Sequence, residues 1–109
     1  MPQAYKVLGQ IAPSATTATT IYTVPSATEA VVSSVSVCNR AGTAATFRLS
    51  VRPDGASLAN QHYLVYDADL GANDTIILTI GVTMDATDVL EGYASSGDLT
   101  FHAYGSEIT

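Results

Sequence analysis

The chain has 109 residues, a length that suits one domain able to bury a core without disulfide or metal staples. Only 13% of the residues are charged and 47% are hydrophobic, which favours an all-β protein with a hydroxyl-rich surface or a subunit of an assembly. A net charge of −6, with only 4 Lys and Arg residues scattered along the chain, excludes the basic patch that a nucleic-acid-binding protein needs.

Alternation of apolar and polar residues with a period of two predicts three strands in the first part of the chain, near residues 4–11, 19–24 and 30–38. The second of these lies in a stretch rich in Ser, Thr and Ala that also resembles a flexible linker in composition. The run Ile21-Tyr22-Thr23-Val24 favours a strand, and Pro25 closes it because proline cannot donate to a ladder. The Thr-rich part over residues 14–20 is a loop or an edge.

The clearest strand is predicted over residues 44–52, where apolar and polar side chains alternate without a break. Its apolar face comprises Ala45, Phe47, Leu49 and Val51, and its polar face Thr46, Arg48, Ser50 and Arg52. Further strands follow near residues 62–68, 75–84, 88–94 and 99–105. Turns rich in Gly, Asn, Asp and Pro separate them, and residues 54–61 form a helical turn or an ordered loop.

About eight short strands with this spacing predict an all-β fold, either a two-sheet sandwich or a single closed sheet. We expect a single-domain β-sandwich of the jelly-roll type over residues 1–109, with residues 1–8 as a candidate flexible or partner-binding arm. An immunoglobulin-like topology is the alternative, although its Cys-Trp-Cys hallmark is absent. Neither a secretory leader nor a membrane-spanning run is present, so we expect a soluble protein.

The titratable residues do not converge on a catalytic or metal-binding pattern. His62 and His102 lack the spacing of zinc ligands, and the single Cys38 lies in an apolar run where a buried, inert thiol is expected. Asp67, Asp69 and Asp74 have the oxygen ligands that calcium prefers, but their spacing is not that of a calcium loop and favours turn-forming acids. We therefore expect no enzyme, no metal and no cofactor.

Arg48 and Arg52 lie four residues apart on the polar face of one strand, in a chain with two other cations. A solvated face is the simpler interpretation, whereas the functional one is a docking face that pairs with acids on a partner or on another copy of this chain. With them we name three tyrosines as candidate interface residues, Tyr22, Tyr63 and Tyr66.

Several motifs resemble a family of small virion proteins of tailed bacteriophages. They are Tyr-Thr-Val-Pro at residues 22–25, a Val-rich strand ending in Cys-Asn at 38–39, Arg-x-x-Val-x-Pro-x-Gly at 48–55, His-Tyr at 62–63, and the ending Phe-x-x-Tyr-Gly-Ser-Glu-Ile-Thr at 101–109. The resemblance extends over residues 9–109 and carries no functional residue with it.

The resemblance implies a jelly-roll or sandwich subunit attached to a virion, made in the cytoplasm of the bacterial host. Its most concrete form is a capsid decoration (cement) protein, a homotrimer that binds the major capsid protein and stabilises the head. A protein of the tail, neck or fibre is the runner-up. A third hypothesis is a carbohydrate-binding module for the host surface, with Tyr63, Tyr66, Tyr93 and Tyr104 as candidate contacts. We expect no direct contact with nucleic acid or membrane.

Overall fold

Nine antiparallel strands build the protein in a computed structural model that describes residues 2–109. Two 3₁₀ turns, Pro53–Gly55 and Asn60–His62, interrupt the chain between the fourth and fifth strands. The strands are β1 (Gln3–Ile11), β2 (Thr19–Thr23), β3 (Glu29–Asn39), β4 (Ala45–Arg52), β5 (Tyr63–Leu70), β6 (Thr75–Leu78), β7 (Val82–Met84), β8 (Val89–Ala94) and β9 (Leu99–Ile108).

The strands form two sheets that pack face to face. One sheet has the order β1-β9-β3-β6, with β7 also paired to β3, and the other has the order β2-β8-β4-β5. Both β6 and β7 are antiparallel to β3, at different points along its length, and together they occupy one strand position. Eight positions in two sheets of four, with the first and last strands adjacent, are the order of a jelly roll. The predicted all-β sandwich is confirmed.

One predicted strand, residues 75–84, is divided in the structure. Its central residues 79–81 leave the ladder, and Gly81 has a left-handed backbone with φ of 58°. A residue without Cβ adopts that conformation readily, so the chain can kink there and pair with β3 again beyond the kink. The ambiguous segment 54–61 is an ordered loop that carries parts of both 3₁₀ turns. Of the candidate arm, residues 1–8, Met1 lies outside the described residues, whereas residues 3–8 belong to β1 and residues 3–7 pair with β9.

The core between the sheets is built from the apolar faces of the strands. Its centre holds Phe47 and Phe101, whose rings meet edge to face with centroids 6.2 Å apart. Fully buried aliphatic side chains surround them: Val24, Val32, Val35, Val37, Leu49, Leu90 and Leu99. Alternation then directs the intervening side chains of every strand to the two outer faces of the sandwich.

Among residues 2–109 there is no helix long and apolar enough to span a bilayer.

Candidate functional site

A β-bulge in strand β5 builds the most organised group of side chains on the outer surface. Residues Val65 and Ala68 of β5 oppose Leu49 and Phe47 of β4, so Tyr66 and Asp67 together face the single residue Arg48. Asp67 has φ of 52°, a conformation that non-glycine residues adopt only when their surroundings hold them in it. The bulge places an aromatic ring and a carboxylate beside the same arginine, which regular pairing could not do.

The guanidinium of Arg48 is held from three sides. It lies over the rings of Tyr66 and Tyr93, with the Cζ atom 4.2 Å and 4.3 Å from the two centroids. Its edge donates two hydrogen bonds to Asp67, from Nε to Oδ1 at 2.7 Å and from Nη2 to Oδ2 at 3.3 Å. Because both aromatic faces and a carboxylate fix one cation, the group is rigid before any partner arrives.

Protonation of the pair follows from this geometry. Hydrogen bonding between Arg48 and Asp67 lowers the pKa of the carboxyl group and raises the pKa of the guanidinium. Both groups therefore stay charged at neutral pH, and their charges cancel locally.

The side chain of Tyr63 extends the group, since its ring meets that of Tyr66 edge to face at 4.9 Å between centroids. We call Arg48, Tyr63, Tyr66, Asp67 and Tyr93 the Arg48 cluster.

Arg52 lies on the same face of β4 but in a separate ion pair. Its Nη2 atom is 3.0 Å from Oε2 of Glu91 on the neighbouring strand β8, and its Nη1 atom donates to the carbonyls of Gly55 and Ala56. Only 9% of the Glu91 side chain is exposed, and the Nε–H of Arg52 is buried without a partner among residues 2–109. Arg52 thus anchors the 3₁₀ turn Pro53–Gly55 to the sheet, and the two arginines do not share a ligand.

Tyr22 does not join the other candidate interface residues. A register shift between Thr20 and Tyr22 turns its ring inward, where it is 7% exposed and donates a hydrogen bond to Oε2 of Glu107. The same carboxylate is 2.6 Å from Nζ of Lys6, so Tyr22, Lys6 and Glu107 link the two sheets at one end of the sandwich. Burial and the Glu107 contact raise the pKa of Tyr22, and the Lys6 and Tyr22 hydrogen bonds lower the pKa of Glu107.

Two of the three acids named as calcium candidates, Asp67 and Asp74, have partners within the chain. Asp67 binds Arg48, while Asp74 accepts a hydrogen bond from the backbone N–H of Thr75 in the turn after β5. Within residues 2–109 there is no group of three His, Cys, Asp or Glu side chains that could hold a metal ion. His62 accepts a hydrogen bond from the backbone of Ala59, and His102 meets the hydroxyl of Tyr104, so each histidine has a local partner.

The opposite sheet carries a second surface that the sequence did not reveal. Tyr5 and Val7 of β1 are 81% and 49% exposed, and with Val31 and Tyr104 they line a trough of about 690 Å³. We call it the Tyr5 trough. Bulges on both neighbours of β9, at Leu8 and Ser33, shape it. The alternation in residues 3–11 indicated a strand, but no sequence signal indicated that its apolar side would lie uncovered.

Comparison with known proteins adds no relative: the sequence matches no family model, and a search of the curated proteins finds no match for it.

Proposed function

We propose that this protein is a structural protein of a tailed-phage virion, acting as a decoration protein on the outer surface of the capsid. The observation that carries the proposal is the Arg48 cluster, because tyrosine and arginine in a rigid, well-packed group are the residues that dominate protein–protein contacts. The motif resemblance of residues 9–109 supplies the kind of partner, the major capsid protein.

The electrostatics of the cluster suit burial against a protein surface. Arg48 and Arg52 already have carboxylate partners within this chain, so a partner does not have to supply an acid for either. Contact then requires little rearrangement of side chains, which lowers the entropic cost of binding. Three of the five N–H donors of Arg48 have no acceptor among residues 2–109, and they offer hydrogen bonds to carbonyl groups of the partner.

Such binding would stabilise a capsid by mass action. A protein that binds only the assembled shell adds its binding free energy to the stability of that shell, and many copies multiply the effect. The homotrimer that the resemblance implies stays a prediction.

The direct test is electron cryo-microscopy of purified virions of the phage that carries this gene. Density for the jelly roll at regular positions on the outside of the head is the expected result. Density confined to the tail, neck or fibres would replace the proposal with its runner-up, and absence of the protein from purified virions would overturn both.

A binding experiment tests the surface. Purified protein is added to heads that lack it, and the Tyr66→Ala variant is compared with Arg40→Ala, whose Nη2 donates to the backbone of Gly97 outside the cluster. We expect Tyr66→Ala to weaken binding by about tenfold or more, the range of an interface hot spot, and Arg40→Ala to bind normally. Equal binding by the two variants would contradict a role for the cluster.

A second candidate function is recognition of a host glycan. It is favoured by one observation, the grouping of Tyr63, Tyr66 and Tyr93 on one outer face beside the exposed Asp67 carboxylate. Tyr104, the fourth tyrosine considered, lies on the opposite sheet. Binding to an array of neutral glycans, lost in Tyr66→Ala, would support this function, and an array without any signal would remove it.

A further inference from the structure

The outer face of the five-stranded sheet is almost free of charge. The register between the strands shows which side chains point outward, because outward residues alternate with the fully buried Val35, Val37, Phe101 and Ala103. Glu29, at one end, is the only Asp, Glu, Lys or Arg among the outward strand residues of the described chain. Beside that end, Asp85 and Asp88 of the turn after β7 line a recess together with Glu29, Thr83 and Ile108. The remaining outward strand residues are Gln3, Tyr5, Val7, Gln10, Val31, Ser34, Ser36, Cys38, Thr75, Ile77, Thr83, Thr100, His102, Tyr104, Ser106 and Ile108.

Several side chains on this face are apolar and exposed without cover from the chain itself. Tyr5 is 81% exposed and Ile77 67% exposed, at opposite sides of the sheet. Next to Tyr5 is the Tyr5 trough, large enough for an aromatic side chain. Lys6 lines the edge of the trough, but its ammonium group points away to Glu107 between the sheets. The face therefore combines a projecting aromatic ring with an apolar recess beside it.

The distribution of charge over the two outer faces indicates which partner can bind the five-stranded face. The chain carries a net charge of −6, so two copies repel each other wherever their acids approach. Burying the whole of the other outer face against its own copy would also bury Asp69, an exposed carboxylate that has no ion pair among residues 2–109. Apart from the acids at its Glu29 end, the five-stranded face is a surface on which two copies can meet with few charges removed from water, and depletion of charge is typical of interface centres.

The size of the face fits such a contact. Strand β9 has 10 residues and lies in a sheet four strand positions wide, which gives roughly 33 Å by 19 Å, or about 600 Å² per copy. Two copies would bury about 1,200 Å² in total, the lower bound for a specific and stable interface. β-sheets also pack well face to face, at a separation of about 10 Å.

We propose that two copies of this chain associate through the outer faces of their five-stranded sheets, about a twofold axis, with Tyr5 of each copy in the Tyr5 trough of the other. A twofold contact is closed after two copies, so the protein forms a dimer, in contrast to the trimer implied by the resemblance. Each dimer presents its two Arg48 clusters in opposite directions. If the proposed function holds, on which this last step rests, the two clusters would let one dimer bind two neighbouring capsomers at once.

Sedimentation equilibrium with the full chain tests the dimer. The wild type should approach twice the mass of the 11.3 kDa monomer as concentration rises. Tyr5→Asp should weaken the association by about 100-fold, because it places a carboxylate in the apolar Tyr5 trough of the other copy. Tyr66→Asp is the matched control, the same replacement of an exposed tyrosine on the other sheet, and should leave the dimer intact.

A wild type that stays monomeric or forms a trimer would overturn the inference, as would dissociation caused by Tyr66→Asp and not by Tyr5→Asp. Circular dichroism of each variant confirms the fold. A monomer that still binds heads counts against this inference alone, whereas a dimer that does not bind heads counts against the proposed function alone.

Discussion

The outer face of the four-stranded sheet carries two arginine–carboxylate pairs and Asp69, whereas the strands of the five-stranded sheet present a single acid, Glu29, on their outer face. On the first, Arg48 and Arg52 each have their own carboxylate, from Asp67 and Glu91. On the second, hydroxyl groups and exposed apolar side chains take the place of ions. One alternating pattern thus produces two surfaces with different recognition chemistry.

The two surfaces also differ in the contacts that fix their shape. The Arg48 cluster depends on side-chain contacts above the sheet, and a bulge in an edge strand makes them feasible. The Tyr5 trough depends on the backbone beneath it, where Gly105 allows β9 and β3 to approach closely. A substitution that displaces the backbone should therefore damage the Tyr5 trough more than truncation of a side chain damages the Arg48 cluster.

The largest effect is expected for Gly105→Ala. A Cβ atom at this position would lie 1.9 Å from the carbonyl oxygen of Val31, a backbone atom that cannot turn away. We expect the free energy of unfolding to fall by about 3 kcal/mol, the upper range for overpacking. Urea denaturation measures it, with Gly42→Ala as the control, since a Cβ at Gly42 meets no atom within 4 Å. Similar losses in the two variants would contradict the role of Gly105.

A smaller effect separates the two arginines. Arg52→Ala leaves the carboxylate of Glu91 buried without its partner, and we expect a loss of about 2 kcal/mol, less than for a fully buried pair because 19% of the Arg52 side chain is exposed. Arg48→Ala should cost about 1 kcal/mol, because its ion pair is more exposed to solvent. Thermal or urea unfolding compares them, and a larger loss for Arg48→Ala would reverse the assigned roles.

Much of this fold could be predicted from the sequence alone. Period-two alternation placed every strand position within a few residues, because burial of one strand face leaves a direct trace in the sequence. It also placed Arg48 and Arg52 on one outer face. The position of Tyr93 beside Arg48 depended on which strands are neighbours, and strand order leaves no such trace in a single sequence.

Bulges account for the predictions that the sequence could not make. The shift in β2 turns Tyr22 inward although strict alternation with Thr20 would place it outside. The shift in β5 brings both Tyr66 and Asp67 opposite Arg48, and the shifts beside β9 shape the Tyr5 trough. Each inserts one residue and reverses the faces of those that follow, with no residue type that identifies it in advance.

Acid should weaken the contact between the two sheets, where Glu107 binds Lys6 and Tyr22. The pKa of Glu107 in the folded protein lies below its ordinary value of 4.5, so the unfolded chain takes up the proton first. The stabilisation that Glu107 provides is complete above pH 4.5 and is lost as the pH falls through the lower, folded value. Glu107→Gln should flatten this acidic loss in pH-dependent thermal unfolding. An unchanged slope would exclude Glu107 as its source.

The smallest effect is expected for the reactivity of Cys38. It is half-buried on the outer face of the five-stranded sheet, paired in register with Thr100 and Thr75 at the end away from Tyr5. If two copies cover the whole face, alkylation of the thiol should slow severalfold as the protein is concentrated, and Tyr5→Asp should restore the faster rate. A rate independent of concentration would confine the contact to the Tyr5 end. The buried area would then fall below about 1,200 Å², too little for a stable dimer, and the proposed pairing would fail with it.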